Sequence, residues 1–247
     1  MKKILFVILF LVSTSQFVSA QKLIEAVEAK NYEQVEQYLK NGEKVNKPNK
    51  TGHFPLWNAV WNNDAKMVAL LLNNGANAKQ KFKGKKADIA CLEIAAQEGH
   101  FDIAELLINA GADIHERSFH GHTPLRIAAR NGRADLVKYF ISKGSVVDTR
   151  GDDGATPLEQ AAAKGHLDIV MIMVESGANI NIQDKEGDTP LGEAAQNGFI
   201  EVVSYLLSKG ADTGLKNQAG NTAEERARLA GQAKVQEVLK QAKTMGK

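Results

Sequence analysis

One period governs this chain and limits what it can fold into. Thr123-Pro124-Leu125, Thr156-Pro157-Leu158 and Thr189-Pro190-Leu191 stand 33 residues apart, and extending the frame places the proline slot at 55, 91, 124, 157, 190 and 223, with a single spacing of 36. Lys22 holds that slot in a first, half-visible copy. Four residues after each slot the chain reads Ala26, Ala59, Ala95, Ala128, Ala161, Ala194 and Ala227; twenty after, it reads Gly42, Gly75, Gly111, Gly144, Gly177 and Gly210. A repeat of this length is one supersecondary unit that buries its apolar face only against its neighbours.

Each fixed residue has a physical task. Threonine before proline caps a helix by accepting from its free N–H groups, and proline is harmless at the first helical position because its missing donor would be unpaired anyway. The recurring alanine lets that short helix lie close to its neighbours. Ile169, Val170 and Met173 then give the following segment an apolar helical stripe, which predicts a second helix packed behind the first. Gly177 and its equivalents end the second helix in a left-handed conformation. A turn such as Asp184-Lys185-Glu186-Gly187 leads to the next pair.

At these residues the chain resembles the ankyrin repeat family. Gly121-His122-Thr123-Pro124-Leu125-Arg126-Ile127-Ala128-Ala129-Arg130-Asn131-Gly132 and Asp184-Lys185-Glu186-Gly187-Asp188-Thr189-Pro190-Leu191 match the family pattern nearly letter for letter, and the likeness spans about residues 22 to 240. It implies an all-α ankyrin repeat solenoid of about seven helix pairs joined by short β-hairpin or turn connections. Copies fall at about 22–48, 49–84, 85–117, 118–150, 151–183, 184–216 and 217–240, within a single domain over 21–247. The last copy has Ala223 and Glu224 in place of Pro and Leu, as expected of a polar cap.

The first twenty residues stand outside the repeat. Lys2 and Lys3, the apolar run Ile4 to Val12 and the small residues of Val18-Ser19-Ala20 have the form of a signal peptide cleaved before Gln21. Nine strongly apolar residues are too few for a membrane span, which needs roughly 20, and no cysteine follows for a lipid. The expectation is export to the periplasm, with release from the cell as second choice. Cleavage would leave 29 basic and 29 acidic residues, a mature chain of zero net charge.

The sequence shows no chemistry of its own. Cys91, the lone cysteine, excludes an internal disulfide and a cysteine zinc cage. It occupies a proline slot at a helix start, where its pKa could fall, but without a tied His or Asp it reads as a small packed thiol. His120 and His122, near His115 and Glu116, could flank a metal, yet the frame puts them on a polar turn. Asp148, Asp152 and Asp153 with Gly151 and Gly154 resemble a calcium loop lacking its bidentate Glu. No serine-hydrolase or phosphate-loop motif is present. Catalytic residues, cofactors and metals are therefore expected to be none.

The irregularities of the repeat point to a partner. The 36-residue spacing inserts three residues around Lys79-Gln80-Lys81-Phe82-Lys83-Gly84-Lys85-Lys86, predicting a longer basic finger. Residues 40–86 carry ten lysines against Glu43 and Asp64, a net of +8, whereas 148–193 carry ten acids against Arg150, Lys164 and Lys185, a net of −7. Trp57 and Trp61 share one helix face, and Arg126 and Arg130 fill the equivalent slots of the fourth copy. Exposed tryptophan and arginine are enriched at interface hot spots. The competing possibility is packing between repeats for Trp57 and pairing with Glu93 or Glu159 for Arg126. The expected partner-binding set is Trp57, Trp61, Lys81, Phe82, Lys83, Phe119, His120, His122, Arg126 and Arg130.

The resemblance implies protein binding, because ankyrin arrays present hairpin tips and first helices as a recognition surface. With export and no visible chemistry, the expected function is a monomeric, non-enzymatic inhibitor or shield of a periplasmic enzyme, best matched by a peptidoglycan-cleaving hydrolase of the same cell. A structural adaptor that joins envelope proteins without inhibiting them is the alternative. Nucleic acid is not an expected partner, since the basic segment is offset by acids elsewhere and the leader directs the chain away from the cytosol.

Overall fold

A computed structural model describes residues 20–83, 88–118 and 120–244. The leader assigned to residues 1–20 therefore lies, but for Ala20, outside the described residues, as do Phe119 and, in the finger, Gly84 to Ala87.

The described chain is all-α apart from one small hairpin. Residues 20–28 form α1, and there follow α2 (Tyr32–Lys40), α3 (Pro55–Trp61), α4 (Ala65–Asn73), β1 (Lys81–Lys83), β2 (Asp88–Ala90), α5 (Cys91–Glu98), α6 (Phe101–Asn109), α7 (Pro124–Arg130), α8 (Ala134–Ser142), α9 (Pro157–Lys164), α10 (Leu167–Glu175), α11 (Pro190–Asn197), α12 (Ile200–Ser208), α13 (Ala223–Leu229) and α14 (Ala233–Thr244). Among the described residues the helices come in seven pairs, and from α3 on each pair begins at the proline slot. Other than β1 and β2, the described links between pairs are turns.

The capping chemistry is that read from the sequence. Thr123, Thr156 and Thr189 accept at their side chains from the N–H of Arg126, Glu159 and Gly192, with proline at the first helical position. Thr222 and Glu225 form a reciprocal capping box on α13, which replaces the missing proline. Gly177, at φ +87°, closes α10: its N–H donates to Val174 O and that of Ala178 to Met173 O, a pairing that needs a left-handed residue.

The helix pairs are grouped in two compact units. The first holds the described residues up to Ala95 together with His100–Asp113; there α3 packs on α4 and α4 on α6 around Leu56, Ala59, Met67, Leu71, Ile103 and Leu107, all fully buried. The second holds Ala96–Gly99 and the described residues from Ile114 onward. Its first helices α7, α9, α11 and α13 pack each on the next, and α8, α10, α12 and α14 form a second layer behind them. Leu158, Ala161, Ile169, Val170 and Met173 are fully buried between the layers. The turns of this unit are tied at the tips, where Asp152 N donates to His120 O, Lys185 N to Asp153 O and Gln218 N to Glu186 O.

Candidate partner-binding surfaces

In the first unit, the helix that starts at Pro55 buries Pro55, Leu56, Asn58, Ala59 and Val60, which leaves Trp57 and Trp61 on the remaining face. Four residues apart, they lie one above the other. Their rings stack at 5.3 Å between centroids and 9° between planes, and His53 stacks on the other side of Trp57 at 4.7 Å and 10°. Phe82 leans against both His53 and Trp57, at 5.1 and 5.0 Å. Trp57 is half-buried, and its Nε1–H is shut off from solvent with no acceptor among the described residues; Trp61 is 56% exposed.

The inserted segment delivers Phe82. Its β1 pairs antiparallel with β2 in the register Lys81–Ala90, Phe82–Ile89 and Lys83–Asp88. The phenylalanine ring lies 3.5 Å from where a Cβ on Gly52 would be, and Gly52 has φ +88°, so that turn position suits glycine on both counts. Lys50 on the same turn, and Lys79 and Lys83 on the finger, are exposed; Lys81 is half-buried. The predicted residues Trp57, Trp61, Lys81, Phe82 and Lys83 are thus one patch, with His53 as a member that the sequence reading missed. A signal existed: His53 occupies the same frame position, two before the proline slot, as His122.

The second unit carries the fourth-copy residues, and here one expectation is corrected. Arg126, expected on the accessible face, is 1% exposed. Its Nη2 pairs with Asp153 Oδ2, a partner other than the Glu93 or Glu159 that the spacing suggested. His122 is half-buried with its ring 5.8 Å from that of His120, which is exposed like Arg130. Burial, then the charge of Arg126, and further Arg130 and His120, push the His122 imidazole down to about 4 against the opposing pull of Asp153. Burial acts to raise the Asp153 carboxyl, but the hydrogen bonds from Arg126 and from Ala155 N and the nearby positive charge hold it below the ordinary range.

Glu159, two residues past its proline slot as Arg126 is, is 3% exposed, and its Oε2 has no hydrogen-bond partner among the described residues. Burial first, then Asp184, Glu193, Asp153 and Asp188, push its carboxyl up to about 9. Beyond it Arg226 reaches Asp188 Oδ1 at 2.8 Å, Glu193 Oε1 at 2.7 Å and Gln196 Oε1 at 2.6 Å.

The acids that resembled a calcium loop are each engaged elsewhere: Asp148 accepts from Asn179 N, Asp152 stands 3.5 Å from Arg117, and Asp153 holds Arg126. Among the described residues no three His, Cys, Asp or Glu side chains converge to hold a metal ion. Cys91 is buried, and burial pushes its thiol up to about 12, opposite to what the helix start alone would do. No helix among the described residues is long and apolar enough to cross a membrane.

Comparison with known proteins agrees with this architecture. A family profile described as ankyrin repeats (3 copies) matches residues 23–118, 92–184 and 176–245. Human ankyrin repeat and SOCS box protein 3 is 30% identical over 96 residues, 38% of this chain and 18% of that protein. Mouse B-cell lymphoma 3 protein homolog is 39% identical over 77 residues, 31% of this chain and 16% of its own length. Human ankyrin repeat and KH domain-containing protein 1 is 40% identical over 75 residues, 30% of this chain and 3% of that protein. The chain thus spans less than a fifth of these relatives, and what is shared is the repeat, a protein–protein interaction module. With the profile covering nearly the whole described chain, the protein belongs to the ankyrin repeat family.

Proposed function

We propose that this chain is an exported, non-catalytic protein that binds an enzyme of the cell envelope and blocks it, the best match being a peptidoglycan-cleaving hydrolase of the same cell. The observation that carries the binding part is the stack of His53, Trp57 and Trp61 with Phe82 against it and exposed lysines on the adjoining turn and finger. Large rings that remain accessible on a helix face, beside exposed positive charge, are the composition of an interface core with a steering rim. Export is supported by the basic-apolar-small order of the first twenty residues, and restraint of an envelope enzyme by export together with the lack of a catalytic motif in the sequence. Covering an active-site mouth takes an interface on the order of 1,600 Å².

The test mixes the purified protein with the wall-cleaving activity of the producing cell's periplasmic extract. Hydrolysis should fall stoichiometrically; undiminished hydrolysis at excess protein refutes the inhibitory reading. Recovery of the chain from the same extract with Gln21 at its N-terminus tests export separately.

A further inference from the structure

Three observations in the first unit bear on the chemistry of the occupant. First, the ring stack is open at one end. His53 and Phe82 cover Trp57, whereas the ring contact of Trp61 is with Trp57 alone among the described residues and its side chain stays 56% exposed. Second, lysines flank the stack on two elements: Lys50 is exposed on the turn where the Phe82 ring packs at Gly52, and Lys83 follows Phe82 on β1. Third, positive charge around the stack exceeds the acids available to it. Lys50, Lys79 and Lys83 are exposed, while Asp64 is occupied by the Tyr32 hydroxyl and the N–H of Met67, and Asp88 stands opposite Lys83 across the hairpin.

We propose that this patch receives an extended, acidic peptide segment of the protein partner, with one flat apolar side chain of that segment lying on the open face of Trp61 and its carboxylates meeting Lys50, Lys79 and Lys83. This rests on the reading of the patch as a protein-binding face and adds the kind of segment it selects. A single uncovered ring serves one side chain; binding of single-stranded nucleic acid relies on several exposed rings for successive bases. The charge complementarity also sets the kinetics, since the lysines accelerate encounter and the ring contact slows departure.

The experiment is a selection of random twelve-residue peptides on the full chain, followed by titration of a selected peptide. Both tryptophans of the protein are in the patch, so their emission reports occupancy directly. Enrichment of Asp and Glu around one aromatic residue is expected. The selected peptide should shift the emission, lose at least tenfold in affinity on Trp61→Ala or on joint reversal of Lys50, Lys79 and Lys83 to Glu, and weaken as salt rises. Trp61 and the three lysines are exposed, and an unchanged circular dichroism melt checks that these variants fold. Selection without acidic bias, equal binding by the variants, or tighter binding of oligo(dT) than of the peptide overturns the proposal. Acid-selective binding without hydrolase inhibition would leave this inference standing and sink the proposed function; inhibition that survives loss of the patch would do the reverse.

Discussion

Glu159→Gln tests whether a buried carboxyl in the second unit sets how stability depends on pH. Glu159 is 3% exposed on α9, has an Oε2 without a hydrogen-bond partner among the described residues, and is pushed up to about 9 by burial and by Asp184, Glu193, Asp153 and Asp188. An acid whose native pKa is raised binds its proton more tightly folded than unfolded. Its contribution to stability is therefore whole below the ordinary glutamate range, near 4.5, and is lost progressively as pH climbs toward about 9. Within that window each pH unit lowers stability by roughly 1.4 kcal/mol. Between pH 5 and 7.5 the loss is on the order of 3 kcal/mol, a large part of the stability of a domain this size. Glutamine keeps the volume and removes the titration. Urea unfolding followed by far-UV circular dichroism at pH 5, 6.5 and 8 should show the variant gaining on the parent as pH rises, with little difference at pH 5. A stability difference independent of pH would refute the reasoning, because a carboxyl that ionises in place without penalty is not buried among like charges.

Three further outcomes follow from named contacts. Arg226→Ala leaves Asp188 and Glu193 without their shared guanidinium, and should cost roughly 3–5 kcal/mol in urea unfolding, as removal of one member of a buried ion pair does. Cys91 should stay unreactive toward a thiol reagent at pH 8 in the native protein and react once denatured, because burial keeps it a thiol; rapid labelling of the folded chain would contradict this. The His122 ring should remain neutral at pH 5 and titrate at about 4 by NMR, since burial and then Arg126 disfavour its charge; a midpoint near 6.5 would show the ring to be solvated.

Most of the fold was legible because the repeat states each structural duty several times. Thr123, Thr156 and Thr189 all cap, and Gly42, Gly75, Gly111, Gly144, Gly177 and Gly210 all take φ between 84° and 92°. The recurring alanine is fully or nearly fully buried in every copy, from Ala26 at 3% to Ala227 at 0%. What periodicity could not tell is what happens where the period breaks. The three inserted residues predicted a basic finger; that the finger is a β-hairpin placing Phe82 on Trp57 depends on strand pairing, which a single irregular copy cannot announce.

The candidate sites were legible as slots, but the depth to which each slot is enclosed was not. His53, Trp57 and Trp61 occupy the same three frame positions as His122, Arg126 and Arg130; slot for slot, Trp61 and Arg130 stand open, whereas Trp57 is half-buried and Arg126 enclosed. The enclosure of Arg126 depends on the next copy. A Cβ on Gly151 would overlap Arg126 Nη1, so it is the absence of a side chain there that lets the guanidinium fold inward and reach Asp153. Gly192 does the same for Arg226, whose Nη1 lies 2.9 Å from where its Cβ would be. Neither glycine has a positive φ, so their role is space and not backbone conformation. At both arginines the guanidinium turns inward where a neighbouring repeat, the following one for Arg126 and the preceding one for Arg226, offers a glycine in its path. Reading copies in pairs, rather than aligning them to one consensus, brings Gly151 and Asp153 beside Arg126, the two features that enclose it.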